Sequence, residues 1–388
     1  MKRLSRFSGK SYFIGAFSGI AVSLALLGAG LYSMTDSPSE MYYFFKNFAL
    51  IKQRYYKDVP DKVLLRGAED GMIKALGDPY SSFMAGDVYQ NFKNATSGGY
   101  TGIGIVIGLS ENREPMILEV FRGSAAEKNG LKRGDIIRTV DGIDVQAIQF
   151  NDIASRIRGA EGTVLKLTVN RGGEEISLDI TRESIELPTV SEKMLDGNVG
   201  YIHIYSFAQH TDREFSEALE SLKEQGMEKL ILDVRMNPGG LLDSAVNICD
   251  KILPQGPVVS FHTKNGTQKI YSVNGTVSPI PMAVLIDKNS ASASEILAAA
   301  VQDRNAGFII GETSFGKGTV QEIYPEGEDS ALRISIAEYK TPAGRTLDKI
   351  GVHPDIHVQQ DGQIFDEKTD SVIRAAMDAL LTQEEQAD

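Results

Sequence analysis

Ser290, Ser292 and Ser294 alternate with alanines in Asn289-Ser-Ala-Ser-Ala-Ser-Glu295, directly after the apolar run MAVLIDK and at the opening of the helical pattern EILAAAVQD. A serine at a helix N-terminus sits in partial positive charge among free N–H groups, which favours an alkoxide and the oxyanion formed when it attacks a carbonyl. Ser292 and Glu295 also have the spacing of a capping box, in which the hydroxyl merely satisfies a helix N–H. Local chemistry leaves open which of the three serines reacts. Further along, Gly311-Glu-Thr-Ser-Phe-Gly-Lys317-Gly-Thr-Val-Gln321 leads into the β-branched stretch TVQEIYP. Read as a strand, its period of two puts Lys317, Thr319 and Gln321 on one face. A lysine among apolar neighbours loses basicity through desolvation, and its neutral amine can deprotonate a serine. The third segment is Asp233-Val-Arg-Met-Asn-Pro-Gly-Gly240, where the apolar run KLILDVR meets two glycines before a helical pattern. Gly239 and Gly240 either leave N–H groups uncovered for an oxyanion or only make a turn that needs positive φ.

Other chemistries fit less well. Gly311 to Lys317 has the spacing of a phosphate loop, but Gly318 replaces the magnesium-binding Ser or Thr and a strand pattern follows where a helix must open, so no nucleotide is expected. None of the five histidines, His203, His210, His262, His353 and His357, lies in a metal-ligand or nucleophile motif, so neither a metal nor another cofactor is expected. The net charge of −12 argues against nucleic acid as the main partner. The single Cys249 excludes an intrachain disulfide, and its helical spacing with Leu241, Val246, Ile248 and Ile252 makes it a core residue.

These segments need a scaffold, and the 388 residues suffice for two or three domains. Residues 1–10 are basic, and Ser11 to Ser33 carry no charged side chain. At about 1.5 Å per residue this stretch crosses a hydrocarbon layer of roughly 30 Å, so it reads as a signal anchor with the N-terminus cytoplasmic and the rest extracytoplasmic. The alternative is a cleaved signal peptide, although the stretch exceeds the usual apolar core of about 7–15 residues. The split leaves +4 before Asp36 and −16 from Asp36 onward. Residues 38–95 read as two helices and a loop, GDPYSSFMAGDVYQNF, the first helix carrying an aromatic stripe. From about Val190 strands and helices alternate, and KLILDVR and MAVLIDK have the composition of strands buried on both faces, an α/β core over residues 186–360. Residues 361–388 read as a final helix and an acidic tail.

Between these lies a β-rich unit over residues 96–185, with a hairpin at Arg171-Gly-Gly-Glu174. Thr101-Gly102-Ile103-Gly104-Ile105 followed by SAAEKNGLKRGDIIRTVDG strongly resembles a PDZ domain. Such a loop of small residues frees N–H groups to hold a terminal carboxylate while the peptide adds as a strand.

Taken together, GDPYSSFM, the PDZ unit, LDVRMNPGG, NSASASE, GETSFGKGTVQ and YKTPAGRTLDKIGVHPD resemble the carboxyl-terminal processing, or tail-specific, proteases, which are Ser/Lys peptidases with an inserted PDZ domain. The resemblance implies Ser292 as nucleophile, Lys317 as general base and Gln321 as its orienting partner, with oxyanion donors on Ala293 and on Gly239 or Gly240. It also implies a core similar to the crotonase and caseinolytic-protease type of α/β spiral, apolar C-terminal tails as substrates, and a homodimer through the terminal helices, whose apolar faces could as well pack internally. Arg158, near the end of the PDZ helix, is a candidate for coupling peptide occupancy to the site by contacting Gln321 or nearby carbonyls. The one departure is Asp348-Lys349-Ile350, where the family commonly has an extra glycine. A PDZ adaptor with an inactive core is the runner-up, and the complete Ser292, Lys317 and Gln321 set argues against it.

Overall fold

The computed structural model describes residues 35–110, 112–266, 268–275 and 280–382. The basic 1–10 segment and the 11–33 anchor expected from sequence lie outside them. Among the described residues no helix is long and apolar enough to cross a membrane.

The chain divides into two compact units, at Gly77/Asp78. The first contains the helices Pro38–Arg54 and Asp61–Lys74. Pro38 opens the former, where its missing N–H costs nothing. Its aromatic stripe is uncovered, with Tyr42, Tyr43, Phe44 and Phe45 all exposed.

The second unit is built on a six-stranded sheet ordered Val190–Leu195, Val199–Ile204, Lys229–Asp233, Met282–Ile286, Phe308–Gly311 and Ile356–His357. Its first pair is antiparallel and the rest parallel. The central strands are buried throughout. Their alternation feeds two cores: Leu230, Leu232 and Val284 join the helices Thr211–Glu224, Leu242–Ile252 and Ala293–Asp303, whereas Ile231, Ala283 and Leu285 join the C-terminal helix Ser371–Thr382 on the opposite face. This is the layered answer for parallel strands apolar on both sides. Cys249 is fully buried in the first core, and burial pushes its thiol up to about 12.

A second sheet joins Ser82–Ala85, Ser330–Lys340, Gly256–Thr263 and Gln268–Val273, with Thr319–Pro325 paired to Ser330–Lys340. This corrects the sequence reading of GDPYSSFMAGDVYQNF as a loop. Ser82–Ala85 pairs with Ser330 to Arg333, and Asp87–Ser97 is a helix that buries Tyr89 beside Met84. Pairing with a partner so distant in sequence leaves no local signature, so the strand Ser82–Ala85 is not readable from its own segment.

Strands Gly99–Gly102 and Glu183–Glu186 pair as the stem of the inserted unit. Within it, Ile105–Leu109, Pro115–Val120, Ile136–Val140, Val164–Arg171 and Glu174–Thr181 form a sheet around its own apolar core. Arg171 pairs with Glu174 across Gly172 and Gly173, both at positive φ, the two-residue turn that a right-twisted hairpin favours.

Candidate active site

Three loops at the carboxyl ends of the parallel strands converge. The first leaves strand Lys229–Asp233. Arg235, 1% exposed, is held beneath it: Nε and Nη2 donate to Asp233 at 3.0 and 2.6 Å, and Nη1 donates to Asp370 at 3.0 Å and to Gln360 at 2.7 Å. Tyr201 donates its hydroxyl to Asp233 at 2.7 Å. Burial alone would push the Asp370 carboxyl up, but Arg235 and backbone N–H groups outweigh it and hold the carboxyl below its ordinary range. With this base fixed, Asn237 ties the loop to its neighbours. Its amide donates to the Ile204 carbonyl at 2.8 Å, and its own carbonyl accepts from Ala291 N–H at 3.1 Å and the Ser294 hydroxyl at 3.0 Å.

Gly239 then passes against the serine segment so closely that a Cβ there would lie 2.6 Å from the Ala291 oxygen and 2.9 Å from Ser292 Cβ. At Gly240 a Cβ would meet the Phe207 oxygen at 2.1 Å. Only glycine fits either position, both at positive φ. The Gly239 N–H donates to Asn237 Oδ1 at 2.8 Å. Among the described residues no hydrogen bond engages the N–H of Gly240 or of Ala293. Of the two glycines named from sequence, Gly240 therefore has the free donor.

The second loop follows strand Met282–Ile286 and separates the serines. Ser290 is fully buried and donates to the Val234 carbonyl at 2.8 Å, and Ser294, also fully buried, is committed to Asn237. Ser292 keeps 7% exposure and sits at φ 57° just before the helix Ala293–Asp303, a strained conformation for a residue with a Cβ. Tyr339 is buried beside it, its phenol pushed up by burial to about 12.

The third loop carries Lys317, and Glu295 joins it to the second. Fully buried, Glu295 accepts from Ser292 N–H at 2.8 Å, Lys317 N–H at 2.9 Å, Gly316 N–H at 2.7 Å and the Ser314 hydroxyl at 2.6 Å. Burial pushes its carboxyl up, and these donors oppose the rise. Glu295 makes the capping box that its spacing from Ser292 predicts, and its carboxylate also clamps the serine and lysine loops together. Three of its donors lie on the lysine loop, beyond reach of a local reading.

Burial, and then Arg333, hold the Lys317 amine below the ordinary lysine value, against the opposing pull of Glu295 and Asp78. Its Nζ lies 5.1 Å from the Tyr80 ring centroid. No hydrogen bond joins Lys317 Nζ to Ser292 or to Gln321. Strand Thr319–Pro325 begins after Lys317, and its register shifts between Val320 and Gln321, so the single face expected for all three residues is interrupted. The Gln321 amide instead donates to Thr319 Oγ1 at 2.9 Å and Ser335 Oγ at 3.2 Å.

In the inserted unit the Thr101 to Ile105 loop leads into Ile105–Leu109, an edge strand of its sheet. Ile103 is buried and Gly104 has φ 83°. The Ile105 carbonyl accepts from the Tyr100 hydroxyl at 3.4 Å. Arg158 lies 5.9 Å over the Tyr100 ring. Among the described residues no cluster of acidic, His or Cys side chains is arranged to hold a metal.

Fold and site together define a serine-type peptidase carrying a PDZ domain. Residues 198–358 match the model of peptidase family S41, residues 116–171 that of a PDZ domain, and residues 28–88 that of the activating protease CtpB N-terminal domain. The chain is 35% identical to the carboxy-terminal processing protease CtpA of Bacillus subtilis (strain 168), covering 81% of this chain and 68% of that one. It is 37% identical to CtpB of the same organism, with 81% and 67% covered. A solved photosystem II D1 C-terminal processing protease is 29% identical with a TM-score of 0.49, over 80% of this chain and 86% of that one. The chain belongs to the carboxyl-terminal processing proteases of peptidase family S41.

Proposed function

We propose that the chain is a membrane-anchored extracytoplasmic endopeptidase that takes hold of apolar C-terminal tails through its PDZ domain and cleaves by a Ser292/Lys317 dyad. The observation that carries this reading is the fate of the three serine hydroxyls. Ser290 and Ser294 are spent on backbone carbonyls, while Ser292 donates to no backbone carbonyl among the described residues, opens the helix Ala293–Asp303 and is tied through Glu295 to the loop of a desolvated lysine.

In the reaction, the neutral Lys317 amine accepts the Ser292 proton as Oγ attacks the scissile carbonyl. Negative charge on the tetrahedral oxygen falls between the N–H groups of Ala293 and Gly240. The Lys317 ammonium returns its proton to the departing amine, leaving an ester on Ser292. Lys317 then takes a proton from water, hydroxide attacks the ester, and the carboxylic acid leaves as Ser292 recovers its proton. Gln321 orients the lysine once its amide turns from Thr319. No metal, nucleotide or other cofactor enters these steps. The uncharged stretch from Ser11 to Ser33 supports the anchor, and the uncovered aromatic face of Pro38–Arg54 supports a homodimer.

The tail preference is tested with an unstructured protein ending in apolar residues and a copy ending in two aspartates, both incubated without ATP. The apolar tail should be cleaved at least about tenfold faster in kcat/KM, the discrimination of a buried side-chain pocket that rejects charge. Equal rates would remove the PDZ domain from substrate choice.

A further inference from the structure

The Asp78–Ser81 segment of GDPYSSFM takes no part in the steps above, yet it borders both partners of Ser292. The Asp78 carboxylate accepts from Tyr80 N–H at 3.0 Å and from the Ser81 hydroxyl, and Ser81 Oγ in turn accepts from Ser335 N–H at 3.0 Å. Ser335 Oγ is also an acceptor of the Gln321 amide. The segment is thereby pinned to strand Ser330–Lys340 with the Tyr80 ring held against the Lys317 amine, 5.1 Å from Nζ to centroid. Charged groups reach Lys317 from each packed element: Arg333 from the strand, Glu295 from the helix and Asp78 from the segment itself. Around Tyr80, burial and the carboxylates of Asp348, Glu295 and Asp78 keep the phenol protonated, so its ring retains a negative face.

An aromatic face attracts an ammonium and has little hold on a neutral amine. We propose that Tyr80 is a positioning residue for the general base: its ring holds the protonated Lys317 ammonium away from Ser292, and loss of the proton frees the amine to reach the serine. Lys317 makes no hydrogen bond with Ser292 while it lies on this ring. By favouring the charged form, Tyr80 opposes burial and Arg333 and so sets the pH at which the base becomes competent. The inference rests on Lys317 being that base.

The test is the pH dependence of kcat/KM for peptide cleavage by the full chain, its Tyr80→Phe variant and its Tyr80→Leu variant. Leucine keeps an apolar cover over the amine but has no ring face, whereas phenylalanine keeps the face. Activity requires the neutral amine, so it rises with pH through the pKa of Lys317, and loss of support for the charged form moves that midpoint down. Tyr80→Leu should lower it by roughly half to one pH unit, with Tyr80→Phe at the wild-type value. A midpoint in Tyr80→Leu that stands still or moves up overturns the role of Tyr80, as does an equal shift in Tyr80→Phe. Tyr80→Met, likewise apolar and ringless, replaces Tyr80→Leu if thermal melts show that the latter does not fold. Lys317→Ala is assayed in parallel: wild-type cleavage by it removes the base itself, whereas loss of cleavage with an unmoved Tyr80→Leu midpoint removes only the positioning.

Discussion

Lys317→Ala and Ser292→Ala should each lower kcat for peptide cleavage by roughly 10⁴-fold or more, and the double variant should be no slower than the worse single one. The magnitude follows from the acyl-transfer route, because without its base the serine remains a weak nucleophile and without its serine no ester forms. Joint action makes the losses non-additive. Lys317→Arg should be as inactive as Lys317→Ala, since a guanidinium stays protonated and cannot accept the serine proton. Substrate affinity should persist in all four proteins, as the PDZ edge strand Ile105–Leu109 and the Tyr100 hydroxyl bond belong to a unit with its own core. Single-turnover cleavage beside peptide binding separates the two effects. Cleavage by Lys317→Arg within tenfold of wild type would mean that charge and not basicity is what the site uses.

Arg235→Leu should destabilise the protein by about 3–5 kcal/mol, the cost of leaving buried charges without their partner. Asp233 and Asp370 are both fully buried, and the guanidinium bridges them, with Nη2 2.6 Å from one and 2.9 Å from the other. The consequence reaches the site, because the Arg235 backbone leads into Asn237, Gly239 and Gly240. It also reaches the C-terminal helix Ser371–Thr382, since Asp370 accepts from Val372 and Ile373 N–H at its start. Denaturant unfolding monitored for the catalytic core measures the change, and a loss under about 1 kcal/mol would show that the two carboxylates find other partners or take up protons at little cost. Stability carried by the lowered Asp370 carboxyl is fully present above its unfolded pKa and is lost as pH falls through the folded value, so acid should unfold the wild type at this network.

Much of this was legible from residue pattern because it is local. The runs KLILDVR and MAVLIDK could only be strands buried on two faces, and Gly172-Gly173 could only turn a hairpin. The strand after Gly318 is where β-branched residues put it. What the sequence could not display is where side chains meet across the fold. Glu295 has cap spacing, yet three of its four donors come from Ser314, Gly316 and Lys317. Tyr80 lies in a segment that looks like a loop until Ser82–Ala85 is paired with Ser330–Lys340. The choice between Gly239 and Gly240 turned on one side-chain acceptor, Asn237 Oδ1, which no spacing rule would place. The stacking of Arg158 on the Tyr100 ring likewise joins two residues far apart in sequence, which no spacing displays.

The assignment of nucleophile and base is tested most directly by mass spectrometry of the chain after reaction with a fluorophosphonate. The phosphonyl group should be found on Ser292 alone, its attachment should slow severely in Lys317→Ala, and Ser290→Ala and Ser294→Ala should both still be labelled. An adduct on Ser290 or Ser294, or labelling of Lys317→Ala at the wild-type rate, would contradict the dyad.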